Sequence, residues 1–200
     1  MTKSRVEAFS DGVIAIIITI MVLGLQAPKG NSIAALIPLV PTLTGYILSF
    51  VYLGIYWSNH HHLLQAATVI NGKILWANLH LLFWLSLFPF FTAWISNSHY
   101  AKLPTALYGA VLLMAALAFF ILQGLIIRSQ GSHSHIKQEI GKDLKGKVSL
   151  ALNSISIFSA FLASWISMAI FVVVAMIWFV PDRRFERALN STLKHESETD

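Results

Sequence analysis

The sequence predicts an all-α membrane protein with six transmembrane helices and both termini in the cytoplasm. Three observations carry this. Of 200 residues, 56% are apolar and only 12% are charged, against roughly 25% charged in a soluble domain. The apolar residues gather into runs close to the ~20 needed to cross ~30 Å of hydrocarbon as a helix. The lysines and arginines fall almost entirely on one side of the resulting topology, as the positive-inside rule requires.

The first span runs from about Phe9 to Leu25 and stops at Gln26-Ala27-Pro28-Lys29-Gly30. The second runs from about Ile37 to Trp57, with Pro38 and Pro41 in its first turn, where a missing N–H removes no helical bond. The third, about Ile74 to Ile95, carries Pro89 as an expected kink. The fourth follows Pro104 and continues to about Ile127.

From Val148 to Val180 no residue is charged. As one helix those 33 residues would extend ~50 Å, longer than the bilayer core. Either one overlong helix or a hairpin of two short spans turning at Ala163-Ser164-Trp165 fits this run. Topology decides for the hairpin. With six spans, one side holds Lys3, Arg5, Lys73, Arg128, Lys137, Lys142, Lys145, Lys147, Arg183, Arg184, Arg187 and Lys194, and the other only Lys29 and Lys102. Five spans would put the basic tail outside and split that bias.

Residues 1–181 therefore read as one membrane domain without a strong internal repeat, and 182–200 as a cytoplasmic tail that continues as a short surface helix. The net charge of +5 is a topological signal and not the mark of a nucleic-acid partner. The N-terminus lacks the small-residue cleavage site of a signal peptide. With no cysteine, disulfides and thiolate metal sites are excluded. No nucleotide loop, HExxH or nucleophile elbow is present, which speaks against an enzyme.

Polar residues inside a membrane are costly, so their depth is informative. Asp11 lies near the cytoplasmic end of span 1. Ser58, Asn59, His60, His61 and His62 lie at the same end of span 2, and Asn78 and His80 lie one turn into span 3. The economical reading is a buried hydrogen-bond network joining the three spans, serving helix packing or, alternatively, gating or proton handling. Asp11 is expected to take its donor from one of these histidines or from Asn78. Successive side chains on a helix point ~100° apart, so the three histidines cannot close on one metal ion. His133 and His135 sit in a connection, and no metal site is assigned.

In span 1, Ile16, Ile20 and Leu23 recur at i, i+4 and i+7 and share one face, with Thr19 bordering it. Taken alone, such a stripe packs against neighbours or lipid. The fifth span has a competing polar stripe of Ser149, Asn153 and Ser156, a pattern that usually mediates helix packing and otherwise would line a pore. The Thr-Val-Gly-Tyr-Gly filter of the usual potassium channels is absent.

Arg5-x-x-x-Phe9-Ser10-Asp11-Gly12 resembles the RxxxFSD signature that opens the first helix in the transmembrane protein 175 family of endolysosomal potassium channels and their prokaryotic relatives. The likeness extends over the chain, through Asn78, Pro89-Phe90-Phe91-Thr92 and the ending Val180-Pro181-Asp182-Arg183-Arg184. It implies a homotetramer of a single six-helix repeat, with span 1 lining a central pore. It further implies a constriction at Ile16, with apolar layers at Ile20 and Leu23 and a polar position at Thr19. Arg5, Phe9, Ser10 and Asp11 would hold span 1 against spans 2 and 3, together with Asn78, His80 and His60.

The resemblance thus implies a potassium-selective channel in the plasma membrane of a prokaryote, in contact with lipid, with potassium as permeant ion and no cofactor. A proton or small-solute pathway and a non-conducting membrane scaffold are the competing functions. Ion-replacement currents would separate the first two, and flux into liposomes would exclude the third.

Overall fold

Lys3, Ser4, Arg5 and Glu7 form one helix with the first apolar run, so α1 spans Lys3–Val22. It starts six residues before the apolar run does, because apolarity marks the hydrocarbon zone and not the first helical residue. The computed structural model describes residues 2–129 and 144–179. His133, His135, the Val180–Arg184 ending and the surface helix expected after Pro181 lie outside the described residues.

A 3-10 segment, Ile33–Leu39, leads into α2, Val40–Gln65. The proline ring at Pro41 falls in the first turn of α2, where it is compatible with helix. α2 runs beyond Trp57, so Ser58 to His62 are helical and the connection to the next helix is short. That helix, α3 (Gly72–Ser86), is capped by Asn71, whose side chain accepts from the Ile74 N–H at 3.0 Å. α4 (Phe88–Asn97) continues it after a break at Leu87. Pro89 is the cause, since it has no N–H to donate to Leu85 and its ring crowds that carbonyl.

α4 ends at His99 and Tyr100, whose φ values of 50° and 59° lie in the left-handed region. The Tyr100 hydroxyl anchors this unusual turn by donating to the Pro41 carbonyl at 2.7 Å, and it also meets the Thr44 hydroxyl. α5 covers Lys102–Ser129, α6 Leu144–Leu162 and α7 Ser164–Phe179. The α6–α7 break falls at Ala163, inside the turn that the charge-free run requires. At 1.5 Å per residue α6 and α7 are ~28 Å and ~24 Å long, two helices joined by a tight turn.

The described residues are helical apart from turns and connections. Three segments are long and apolar enough to cross a membrane: Ile33–Gln65, Gly72–Asn97 and Lys102–Ser129. α1 packs on α2, α3 and α4, while α5 lies between α3 and the α6–α7 hairpin. Leu53, Leu81, Leu85, Phe88 and Leu112 fill the centre. Lipid tails are as apolar as these side chains, so close van der Waals fit drives helix association in place of the hydrophobic effect. Gly109 shows this fit, because a Cβ there would lie 3.1 Å from Ser156 Oγ and 3.2 Å from the Phe171 ring.

The candidate pore face and its polar support

α1 has two unlike faces. Val6, Ser10, Ile14, Ile17 and Met21 are buried against the neighbouring helices. Turned roughly 110° from them about the axis, Ile16 is 58% exposed, Ile20 47% and Leu23, at the helix end, 79%. Phe9, Gly12 and Thr19 are exposed on the same side. Thr19 donates its hydroxyl to the Ile16 carbonyl at 2.9 Å. A single chain thus leaves this stripe largely uncovered, most fully at Ile16 and Leu23. Arg5 also lies on that side, and is exposed.

The buried face of α1 is fastened by a three-helix hydrogen-bond chain. Ser10 Oγ donates to the Val6 carbonyl at 2.8 Å, so its oxygen is free to accept from Asn78 Nδ2 at 2.9 Å. That orientation turns Asn78 Oδ1 toward His60 Nε2, 2.7 Å away. An amide oxygen only accepts, so His60 carries its proton on Nε2. Its buried Nδ1 has no partner among the described residues. Ser10, His60 and Asn78 are wholly buried, which places the expected network of spans 1, 2 and 3 in a dry setting where each bond is strengthened.

Several expected members stand apart from it, among them Arg5 and Phe9, which fall on the exposed side of α1 with Ile16 and not against α2 and α3. Asp11 takes its donor from Trp57, whose Nε1 lies 3.1 Å from Oδ1, and not from a histidine or Asn78. The reason is azimuth, since consecutive residues point ~100° apart. Ser10 faces α3, which turns Asp11 toward the more open edge beside α2. His80 accepts from Trp84 Nε1, one turn along the same helix, at 2.9 Å, and so makes no link to α1. His61 lies 3.4 Å from Glu7 and stacks on Trp57, so His60 and His61 serve different partners.

The competing stripe on α6 is internal. Ser149, Asn153 and Ser156 are buried. Ser149 accepts from Trp178 Nε1 at 2.7 Å, and Ser167 donates to the Ser156 carbonyl at 2.7 Å. These bonds tie α6 to α7, which is the packing role of small polar residues in membrane helices. A second buried cluster escapes sequence reading. Ser49 Oγ meets Thr92 Oγ1 at 2.6 Å and the Tyr108 hydroxyl at 2.9 Å, joining α2, α4 and α5. Hydroxyls scattered over three spans carry no periodic signal. The available signal for Trp57 was an indole N–H at the depth of Asp11.

The family model described as "Endosomal/lysosomal potassium channel TMEM175" matches residues 5–89. The chain is 51% identical over 189 residues to a potassium channel of Chryseobacterium sp. (strain P1-3), covering 94% of this chain and 98% of that relative. It is 39% identical over 75 residues to the endosomal/lysosomal proton channel TMEM175 of Homo sapiens, covering 32% of this chain and 15% of that one. The crystal structure of a TMEM175 homologue from Chamaesiphon minutus, described as a lysosomal potassium-selective channel, matches with a TM-score of 0.78 at 23% identity, over 90% of this chain and 97% of that chain. The two chains share a fold.

Proposed function

The chain belongs to the TMEM175 channel family, and from that premise we propose that it conducts potassium through a pore lined by α1. Four copies, each with six spans and both termini cytoplasmic, surround the pore axis in the plasma membrane of a prokaryote. The carrying observation is the uncovered face of α1, where Ile16, Ile20 and Leu23 stand exposed while Ile14 and Ile17 are buried. Four copies of this face around an axis convert the stripe into apolar rings. Rings of that kind restrict flow by dewetting. Ile16 forms the constriction nearest the RxxxFSD motif, and Thr19 supplies a hydroxyl between the layers. Ser10, His60 and Asn78 hold the back of α1, so the pore wall is set by buried bonds and not by a carbonyl loop.

The test is purified protein in liposomes under a potassium gradient. Potassium flux that exceeds sodium flux under bi-ionic conditions supports the reading, and tight liposomes with neither flux reject it. Native mass measurement should give four chains; a stable dimer or monomer as the only species rejects the assembly.

One observation favours a second reading. The animal relatives that match here carry the name of proton channels. Proton permeation would appear as acidification of the same liposomes when potassium is replaced by an impermeant cation.

A further inference from the structure

Away from α1, a cavity of about 40 Å³ lies between α2, α5, α6 and α7. Its walls are mostly apolar, yet Gln123 and Asn153 look into it. Gln123 is 5% exposed and Asn153 2% exposed, and the buried Asn153 Oδ1 has no hydrogen-bond partner among the described residues. Tyr56 lies on the same wall. Asn59 uses its Nδ2 on the Ile55 carbonyl at 2.8 Å, leaving its oxygen unused. Ser149 accepts from Trp178 and retains its own proton for donation.

A buried amide oxygen without a partner is strongly unfavourable in an apolar setting, and that of Asn153, beside a void that Gln123 also lines, requires an occupant. Size identifies it. A bound water needs ~10–15 Å³ of such space and two to four polar partners. The void accommodates about two or three waters on that scale and is too small for an aromatic ring or an acyl chain. We propose that this cavity is a water-binding site, in which ordered waters bridge Gln123, Asn153, Asn59 and the Tyr56 hydroxyl and so fasten α5 and α6 to α2. These waters stand behind α2 and apart from the proposed pore, and the site does not depend on what the pore conducts.

The test is radiolytic hydroxyl labelling of the full-length protein in lipid nanodiscs, in ¹⁸O-water, read by mass spectrometry at tyrosines. Tyr56 should label several-fold faster than Tyr108, which is buried, hydrogen-bonded to Ser49 and outside the cavity. Ala116→Leu, which places a larger side chain into the cavity while leaving the amides in place, should bring the Tyr56 rate down to that of Tyr108. The double variant Gln123→Leu/Asn153→Leu should do the same. Equal rates for Tyr56 and Tyr108 in the unaltered protein overturn the proposal. A Tyr56 rate unchanged by Ala116→Leu also overturns it, because the label would then come from bulk water. Should the double variant fail to assemble, the two remaining comparisons decide.

Discussion

Asn59 and His60 are consecutive on α2 and serve different neighbours. His60 reaches Asn78 on α3 at 2.7 Å and, through it, Ser10 on α1. Asn59 faces the cavity shared with α5, α6 and α7. One peptide step therefore connects the support of α1 with the side of the bundle formed by α5, α6 and α7. The histidine faces the hydrogen-bonded junction and the amide faces the cavity.

Asn78 is the member of this junction that nothing else can replace. It donates to Ser10 and accepts from His60, so Asn78→Leu strands the imidazole N–H in an apolar site. An unsatisfied buried group costs about 1–3 kcal/mol. The variant should lose several degrees in melting temperature and should release α1, seen as lost tetramer on native mass measurement. Asn78→Asp, which keeps the acceptor for His60, should be milder. Equal stability of Asn78→Leu and the unaltered protein would show that the chain is not required.

Asp11→Asn should be tolerated better than Asn78→Leu. Its carboxylate is half-buried and accepts from Trp57 at an exposed edge, and an amide oxygen still accepts from that indole. A cost of about 1 kcal/mol or less fits a partly solvated hydrogen bond. Trp57→Phe removes the bond and should give a similar small loss, and adding Asp11→Asn to it should cost little more, because the bond that the amide would weaken is already gone. Thermal unfolding of the three variants in one detergent checks this, with additive losses as the contrary outcome.

Much of the bundle was legible because lipid imposes long apolar runs, and charge sorts the connections by side. Depth along a helix was legible too, which is how His60 and Asn78 were placed at one level, while Ser10 entered through the RxxxFSD motif. Azimuth was less so. Asp11 and Ser10 share a depth, yet their ~100° separation sends one to Trp57 and the other to Asn78. The stripe of Ile16, Ile20 and Leu23 was visible as a face, but spacing alone reads the same whether a face is packed or open. The cavity was not legible at all, since Gln123 and Asn153 sit on separate spans and only the folded bundle sets them around one void.

Gly109 should tolerate little. A Cβ would lie 3.1 Å from Ser156 Oγ and 3.2 Å from the Phe171 ring, tighter than ordinary contact but adjustable by a small shift of the serine. Gly109→Ala should therefore lose about 1 kcal/mol. Gly109→Leu must push α5 from α6 and α7, and overpacking of that kind costs ~1–3 kcal/mol or more. Unfolding by a graded denaturing detergent should rank the three proteins in that order. A leucine variant as stable as the alanine variant would show that these helices do not meet closely.

Ile16→Asn tests the proposed pore directly. Ile16 and Ile17 are adjacent, but Ile16 is 58% exposed and Ile17 only 5%. If four Ile16 side chains form the narrowest ring, four amides in their place let the constriction wet, since dewetting needs an apolar lining. Current should rise and the ratio of potassium to sodium permeability should fall under bi-ionic conditions. An amide at Ile17 enters a packed interface without partners, where it costs about 1–3 kcal/mol and damages folding. Ile17→Asn should therefore reduce assembled protein while leaving the selectivity of surviving channels unchanged. If instead the Ile16 face met lipid, Ile16→Asn would set an amide in hydrocarbon and lower stability without opening any path. An assembled Ile16→Asn tetramer with wild-type current and selectivity would remove Ile16 from the constriction and move the search along α1 to Ile20 and Leu23.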